Sequence, residues 1–192
     1  PKNSGLQITQ FYRIGSSVTN RDIIYGGTQD NGTSVCDIPT WANVYGGDGM
    51  ECLVDYSNEF TVYLEVYYGS IKRSLNGGAF EDVSPIVGGT GDWVTPYIIH
   101  PTDPNTLYAG YRGVYKTLNQ GNDWTKISNS LSGNNLVSLA ISESNPDFIY
   151  TADISSIFKT TTGEGPWINI TAGLPSSAAI TYIAIDPKNP NR

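Results

Sequence analysis

Ile71-Lys72-Arg73-Ser74-Leu75-Asn76-Gly77-Gly78 is echoed 43 residues later by Val114-Tyr115-Lys116-Thr117-Leu118-Asn119-Gln120-Gly121, and after another 43 by Ile157-Phe158-Lys159-Thr160-Thr161-Thr162. Each copy is a short β-prone run that ends in a polar turn. Around the third copy, Leu136 to Ser142 alternates in the manner of a half-buried strand. Glu143-Ser144-Asn145-Pro146-Asp147 supplies a turn, and Phe148 to Ala152, Ile157 to Thr161 and Trp167 to Thr171 follow as strands. The second copy divides the same way: Tyr97 to His100, Thr106 to Gly110, Gly113 to Thr117 and Trp124 to Ile127. A repeat of this length carrying four strands is one blade of a β-propeller.

Two less regular units precede these. One holds Phe11 to Ser17, Ile23 to Gly27, Thr33 to Val35 and Trp41 to Tyr45. The next holds Glu51 to Asp55, Thr61 to Tyr68, Ile71 to Ser74 and Phe80 to Val83. The sequence therefore predicts an all-β chain of four-stranded antiparallel blades over about 6–45, 46–84, 93–128 and 136–171, with a fifth starting over 178–192. Four blades and a trailing strand leave open edges, so the expectation for 1–192 is one segment of a larger propeller. The alternative is a compact four-bladed ring whose last strand completes the first blade.

The 192 residues carry a formal charge of −7, and only 15% of them are charged. The 11 Lys and Arg are scattered, which argues against phosphate-backbone binding and excludes nucleic acid as a partner. No apolar run approaches the roughly 18–20 residues that span a bilayer, so no membrane span is expected. The amino terminus, Pro1-Lys2-Asn3-Ser4-Gly5, has no signal-peptide character. A polar, Tyr-rich surface with little Lys points to an extracellular or cell-surface setting, as in a mature or excised piece of an exported protein. Cys36 and Cys52, 16 residues apart, fit no metal motif. Two buried free thiols are the expectation, with a disulfide as the alternative.

Thr117-Leu118-Asn119-Gln120-Gly121-Asn122-Asp123-Trp124 follows the pattern Ser/Thr-x-Asp-x-Gly-x-x-Trp, with Asn119 at the Asp position. Ser74 to Phe80 is a shortened version and Thr161 to Trp167 a weaker one. In such a hairpin a short polar side chain caps backbone N–H groups, Gly adopts positive φ, and the aromatic anchors the returning strand. These turns resemble the Asp-box (BNR-repeat) propellers, which include sialidases, xyloglucanases and the sortilin ectodomain. Ile8 to Ile14, Tyr25-Gly26-Gly27-Thr28-Gln29-Asp30-Asn31-Gly32-Thr33 and Gly46-Gly47-Asp48-Gly49-Met50-Glu51-Cys52 resemble segments of large secreted propellers of Bacteroidetes labelled glycosyl hydrolase-like. The resemblance implies an outer, structural role for the boxes, and it carries no catalytic pair.

With the four strands of each blade lettered A to D in chain order, the B–C and D–A loops of a propeller share one rim, here the top. That places Gln29-Asp30-Asn31-Gly32 beside Gly46-Gly47-Asp48-Gly49, together with Gly88 to Trp93, Tyr111-Arg112, Gly133-Asn134-Asn135, Asp153-Ile154-Ser155 and Ser176-Ser177. Gln29, Asn31, Asp92, Trp93, Tyr111, Arg112 and Asp153 form the expected ligand-binding set. Amides and acids bond sugar hydroxyls while rings stack on sugar faces. Asp30 and Asp48 read first as caps of tight turns, then as binding groups without chemistry, and as the candidate catalytic pair if the chain is a glycosidase. No cofactor is expected beyond a structural cation at Asp30 and Asp48, whose surroundings lack the ligand ladder of an EF-hand. Trp41, Trp124 and Trp167 recur at the start of a fourth strand, where core packing explains them; Trp93 falls in a D–A loop, where it stacks on a ligand or packs over the central channel.

Tyr12-Arg13-Ile14-Gly15 resembles the Phe/Tyr-Arg-Ile-Pro motif of sialidases, with Gly15 in place of Pro. The remaining arginines do not complete a sialidase site, and Arg13 reads as an inner-strand residue. His100, before Pro101, belongs to a turn on the opposite rim. Three functions remain: a recognition propeller binding glycan or polysaccharide, a polysaccharide hydrolase completed by further blades, and a protein-binding or structural module like sortilin.

Overall fold

The computed structural model describes residues 8–129, 131–175 and 179–192. Sixteen strands form four separate four-stranded sheets, each an antiparallel meander in chain order. Sheet one comprises β1 (Phe11–Ser16), β2 (Ile23–Thr28), β3 (Gly32–Asp37) and β4 (Thr40–Tyr45). Sheet two comprises β5 (Gly49–Asp55), β6 (Asn58–Val66), β7 (Ser70–Ser74) and β8 (Glu81–Asp82). Sheet three comprises β9 (Tyr97–Ile99), β10 (Leu107–Gly110), β11 (Val114–Thr117) and β12 (Thr125–Lys126). Sheet four comprises β13 (Ser138–Ile141), β14 (Ile149–Ala152), β15 (Ile157–Thr160) and β16 (Ile168–Asn169). No helix of the described residues is long and apolar enough to cross a membrane.

The core lies between sheets. Tyr25, Cys52, Val54, Val62 and Leu64 fill the first interface, with Ile23, Val35 and Val44 packed on it. Tyr63, Ile71, Val83, Tyr97 and Leu107 fill the second, and Tyr108, Val114, Leu136, Leu139 and Ile149 the third. Each middle sheet is thus apolar on both faces, which is why β6 and β10 are buried almost continuously. Face-to-face stacking of successive meanders, first strands on the inside, is the wedge packing of propeller blades.

The C–D turns join neighbouring blades. In the third sheet Thr117 Oγ1 accepts from Gly121 N at 3.0 Å, and Asn119 Oδ1 accepts from Asp123 N at 2.9 Å. Gln120 and Gly121 take φ of 60° and 98°. Trp124 Nε1 then donates to Val83 O of the preceding sheet at 2.7 Å, and Trp167 Nε1 likewise to Ile127 O at 3.2 Å. Phe80 performs the apolar part of that task against Tyr45. Trp41 departs from the expectation of core packing. It is 52% exposed, because among the described residues no sheet covers that face, and its ring lies 5.7 Å from that of Phe11.

Two further readings are settled by packing. Cys36 and Cys52 are both buried and both free, so the disulfide alternative falls. Cys36 sits opposite Ile24 in the register while Cys52 packs with Tyr25, so strand alternation puts them on opposite faces of sheet one. The segment after 179 lies on the outer face of sheet four, through Ile183 N to Ser138 Oγ, Tyr150 Oη to Pro190 O and Lys159 Nζ to Asn191 Oδ1. It forms no strand ladder among the described residues, since a first strand needs a second beside it.

Candidate functional site

Successive loops interlock along the top rim. Asp48, from the loop before β5, accepts the N–H of Asp30, and Gly32 bridges Asp48. Tyr68 N donates to Trp93 O at 3.3 Å and Gly91 N returns to Tyr68 O at 3.0 Å. Leu136 N donates to Tyr111 O, Asn134 Nδ2 to Asp153 Oδ2 at 3.2 Å, and Ile180 N to Ile154 O. The Gln29–Gly32 and Gly46–Gly49 turns are therefore side by side. Ser176 and Ser177, expected on this rim, lie outside the described residues.

Asp30 adopts φ 62°, a left-handed conformation that Asp tolerates better than most residues, and the Asp48 carboxylate holds it there. One Asp48 oxygen is thereby committed to the turn. Gln29 N donates to Gln10 O, and the Asn31 amide donates to Gln29 O at 2.9 Å. Asp30 and Asn31 are exposed, while Gln29 and Asp48 are half-buried. Asp92 is half-buried too, its carbonyl accepting from Thr95 Oγ1.

Tyr111 and Asp153 turn inward. Tyr111 is 3% exposed, donates through Oη to Gly69 O and belongs to the second interface. Burial, then the nearby Glu65 charge, pushes its phenol well above the usual range. Asp153 is fully buried; its Oδ1 accepts from Ser155 N, Ser155 Oγ and Ser156 N. Burial would raise its pKa, but hydrogen bonds from Ser132, Ser155 and Asn134 outweigh that and hold it below the carboxylate norm. Both residues build the rim from beneath. Arg112 is exposed, its Nε 3.4 Å from Asn135 Oδ1. His100, on the opposite rim, accepts from Thr102 N and Asp103 N at 3.2 Å each, a turn cap.

Trp93 gathers an aromatic cluster. Its ring lies parallel to Tyr67 at 5.5 Å and 4°, edge-on to Tyr68 at 5.0 Å, and edge-on to Tyr12 at 6.3 Å. Tyr67 and Tyr68 remain 41% and 47% exposed. The cluster draws on the first strand of sheet one, the β6–β7 turn and the loop before β9. The sequence alone carries the second strand of this unit through Tyr68, whereas β6 ends at Val66 and Tyr67 and Tyr68 form the turn. The signal was in the repeat, since Tyr68 stands 43 residues before Tyr111, already placed on the rim.

Two glutamates lie below, Glu65 fully buried and Glu51 half-buried. Glu65 Oε1 accepts from Gly69 N at 3.0 Å and Thr95 N at 2.8 Å, tying the β6–β7 turn to the loop that carries Trp93. Its Oε2 is buried without a partner, and burial, only partly opposed by these N–H groups, raises the carboxyl to about 8. Glu51, on β5, is raised to about 7 by burial against the countering charge of Arg13, whose Nε is 3.5 Å away. Arg13 and Glu51 open into a cavity of about 210 Å³ with Val94, Pro96 and Tyr182, along the inner strands. Arg13 is thus an inner-strand residue satisfied by an acid. Among the described residues no group of three or more His, Cys, Asp and Glu side chains is placed to hold a metal ion.

The chain matches no protein-family profile and no curated protein. Among solved structures it superposes on an ancestral GH74 enzyme with TM-score 0.78 at 19% identity, over 95% of this chain and 29% of that one. It superposes on GH74 from Niastella koreensis with TM-score 0.71 at 19% identity, over 92% of this chain and 31% of that one. The GH74 xyloglucanase from Xanthomonas campestris gives 0.68 at 16% identity, over 88% and 31%. The fold is a partial β-propeller. The chain spans about 29–31% of the length of these enzymes, and at such identity the likeness concerns architecture alone.

Proposed function

We propose that this chain is a recognition segment of an extracellular or cell-surface propeller, binding glycan or polysaccharide through its top rim. The observation that carries the reading is the half-exposed cluster of Tyr12, Tyr67, Tyr68 and Trp93. Aromatic rings offer apolar faces for sugar stacking while phenol hydroxyls and neighbouring amides bond hydroxyls. Asn31 and Asp30, exposed on the adjoining turn, supply such groups. The C–D turns are read as Asp-boxes, and further blades of the same or a larger chain would cover Phe11, Ile14 and Trp41 on sheet one. Trp93→Ala should weaken binding to neutral polysaccharides such as xyloglucan at least tenfold in affinity electrophoresis. Unchanged mobility of the variant would remove the reading.

A hydrolase is the second reading, and Glu51 favours it. A carboxyl raised to about 7 by burial, against the lowering charge of Arg13, keeps a large protonated fraction at neutral pH and below, as a general acid requires. Asp48 is less suited, since its carboxylate holds the Asp30 turn. In the full-length protein, Glu51→Gln should cut reducing-sugar release from xyloglucan by about a hundredfold or more. Full activity in that variant would exclude Glu51 as the acid.

A further inference from the structure

A second pocket on the rim has a different chemistry. It encloses about 230 Å³ between sheets two and three, and its lining includes Gly88, Gly89, Thr90, Arg112, Tyr115 and Lys126. Arg112 and Lys126 are exposed, and neither has a carboxylate at ion-pair distance among the described residues, although the chain carries net charge −7. Of the acids whose charge acts on the pocket's buried Tyr111, Glu65 and Asp82, the second is already paired with Lys72. Two unpaired cations on one concavity of an acidic protein create a local positive field.

Both cations are positioned. A Cβ at Gly113 would come within 2.8 Å of Lys126 Cε, so the absence of a side chain there lets the lysine stem lie on the backbone. Lys126 Nζ stands 5.9 Å from the Tyr115 ring centre, and Arg112 reaches Asn135. The opposite wall is bare backbone. Gly89 needs its lack of a side chain for φ 152°, but Gly88 has no positive φ and no atom within 4 Å of a built Cβ. Nothing in the fold demands a glycine at Gly88; its effect is to leave the wall open to a ligand. The cavity is smaller than the roughly 300 Å³ of the smallest drug-sized sites, so it takes one ring or its substituent rather than an oligosaccharide.

We propose that this pocket is a subsite for the anionic substituent, carboxylate or sulfate, of an acidic glycan. The inference rests on the glycan reading above and adds its substrate class. Arg112 offers a planar fork and Lys126 a mobile point charge to one anion, with Tyr115 alongside the ring. The pocket and Trp93 share one loop, residues 88–93, so the two sites can serve adjacent sugars of one chain.

The test compares polygalacturonate, dextran sulfate and neutral xyloglucan on the natural chain, on Arg112→Gln/Lys126→Gln and on Trp93→Ala. Both cations are exposed, so the double variant should keep its thermal midpoint. Tenfold or greater loss of affinity for an acidic polymer in the double variant, with xyloglucan unaffected, supports the proposal. The polymer that shows the loss identifies carboxylate or sulfate. Equal affinity of the natural and double-variant proteins for both acidic polymers overturns it. Binding of xyloglucan alone overturns this inference and leaves the glycan reading intact. Binding of none of the three overturns both.

Discussion

Glu65→Gln should make the protein more stable than its natural form at pH 8 by up to about 5 kcal/mol, and leave it close to unchanged at pH 4.5. The natural carboxyl titrates near 8 when folded against a reference of 4.5. Below 4.5 it is protonated in both states and contributes no pH dependence. As pH rises from there, the unfolded chain releases its proton while the folded chain retains it, so stability falls until the folded group ionises near 8. At about 1.4 kcal/mol per pKa unit, the full window is worth roughly 5 kcal/mol. Gln keeps an oxygen for Gly69 and Thr95 and carries no charge to bury. Glu51, raised to about 7, contributes in the same direction and should persist in the variant as a shallower decline. Urea titrations at half-unit steps from pH 4.5 to 8.5 measure this. Parallel curves for the two proteins would rule out Glu65 as the buried acid.

The second large effect concerns backbone contact between the first two sheets. A Cβ on Gly27 would lie 2.1 Å from Met50 O, and one on Gly15 would lie 2.2 Å from Cys52 O. Here β1 and β2 rest on β5 main chain to main chain. No side-chain rotation relieves such an overlap, so the sheets must part. Gly27→Ala should therefore cost about 3 kcal/mol or more, enough to threaten folding of this segment. Gly46→Ala is the matched control, since nothing lies within 4 Å of its built Cβ. It should stay within about 0.5 kcal/mol of the natural chain. Equal urea midpoints for the natural chain and Gly27→Ala would show that the sheets do not meet as described.

The architecture was legible because each blade obeys local rules. Strand alternation, Pro and Asn turns, and a polar cap five residues before a Trp recur at one interval. Those rules placed the strands of all four sheets to within a few residues, and they put Gln29–Gly32 beside Gly46–Gly49 because loops on one rim must alternate. The site was only half legible. Trp93 was singled out for breaking the Trp pattern, but Tyr67 and Tyr68 were absorbed into a strand, and Tyr12 into an inner one. Tyr111 and Asp153 sat in the right loops, and nothing in their neighbours' identities announces that they point inward.

By itself the sequence determined the number of sheets, their strand order and the side on which the loops gather, since these follow from periodicity and turn chemistry within one repeat. Tertiary structure alone decided which rim residues face solvent, that Cys36 and Cys52 lie on opposite faces, and that Glu65 is a buried acid and Glu51 a half-buried one beside Arg13. Those properties depend on what a neighbouring blade lays against a residue, and such contacts come from positions about 40 residues away that no local pattern records.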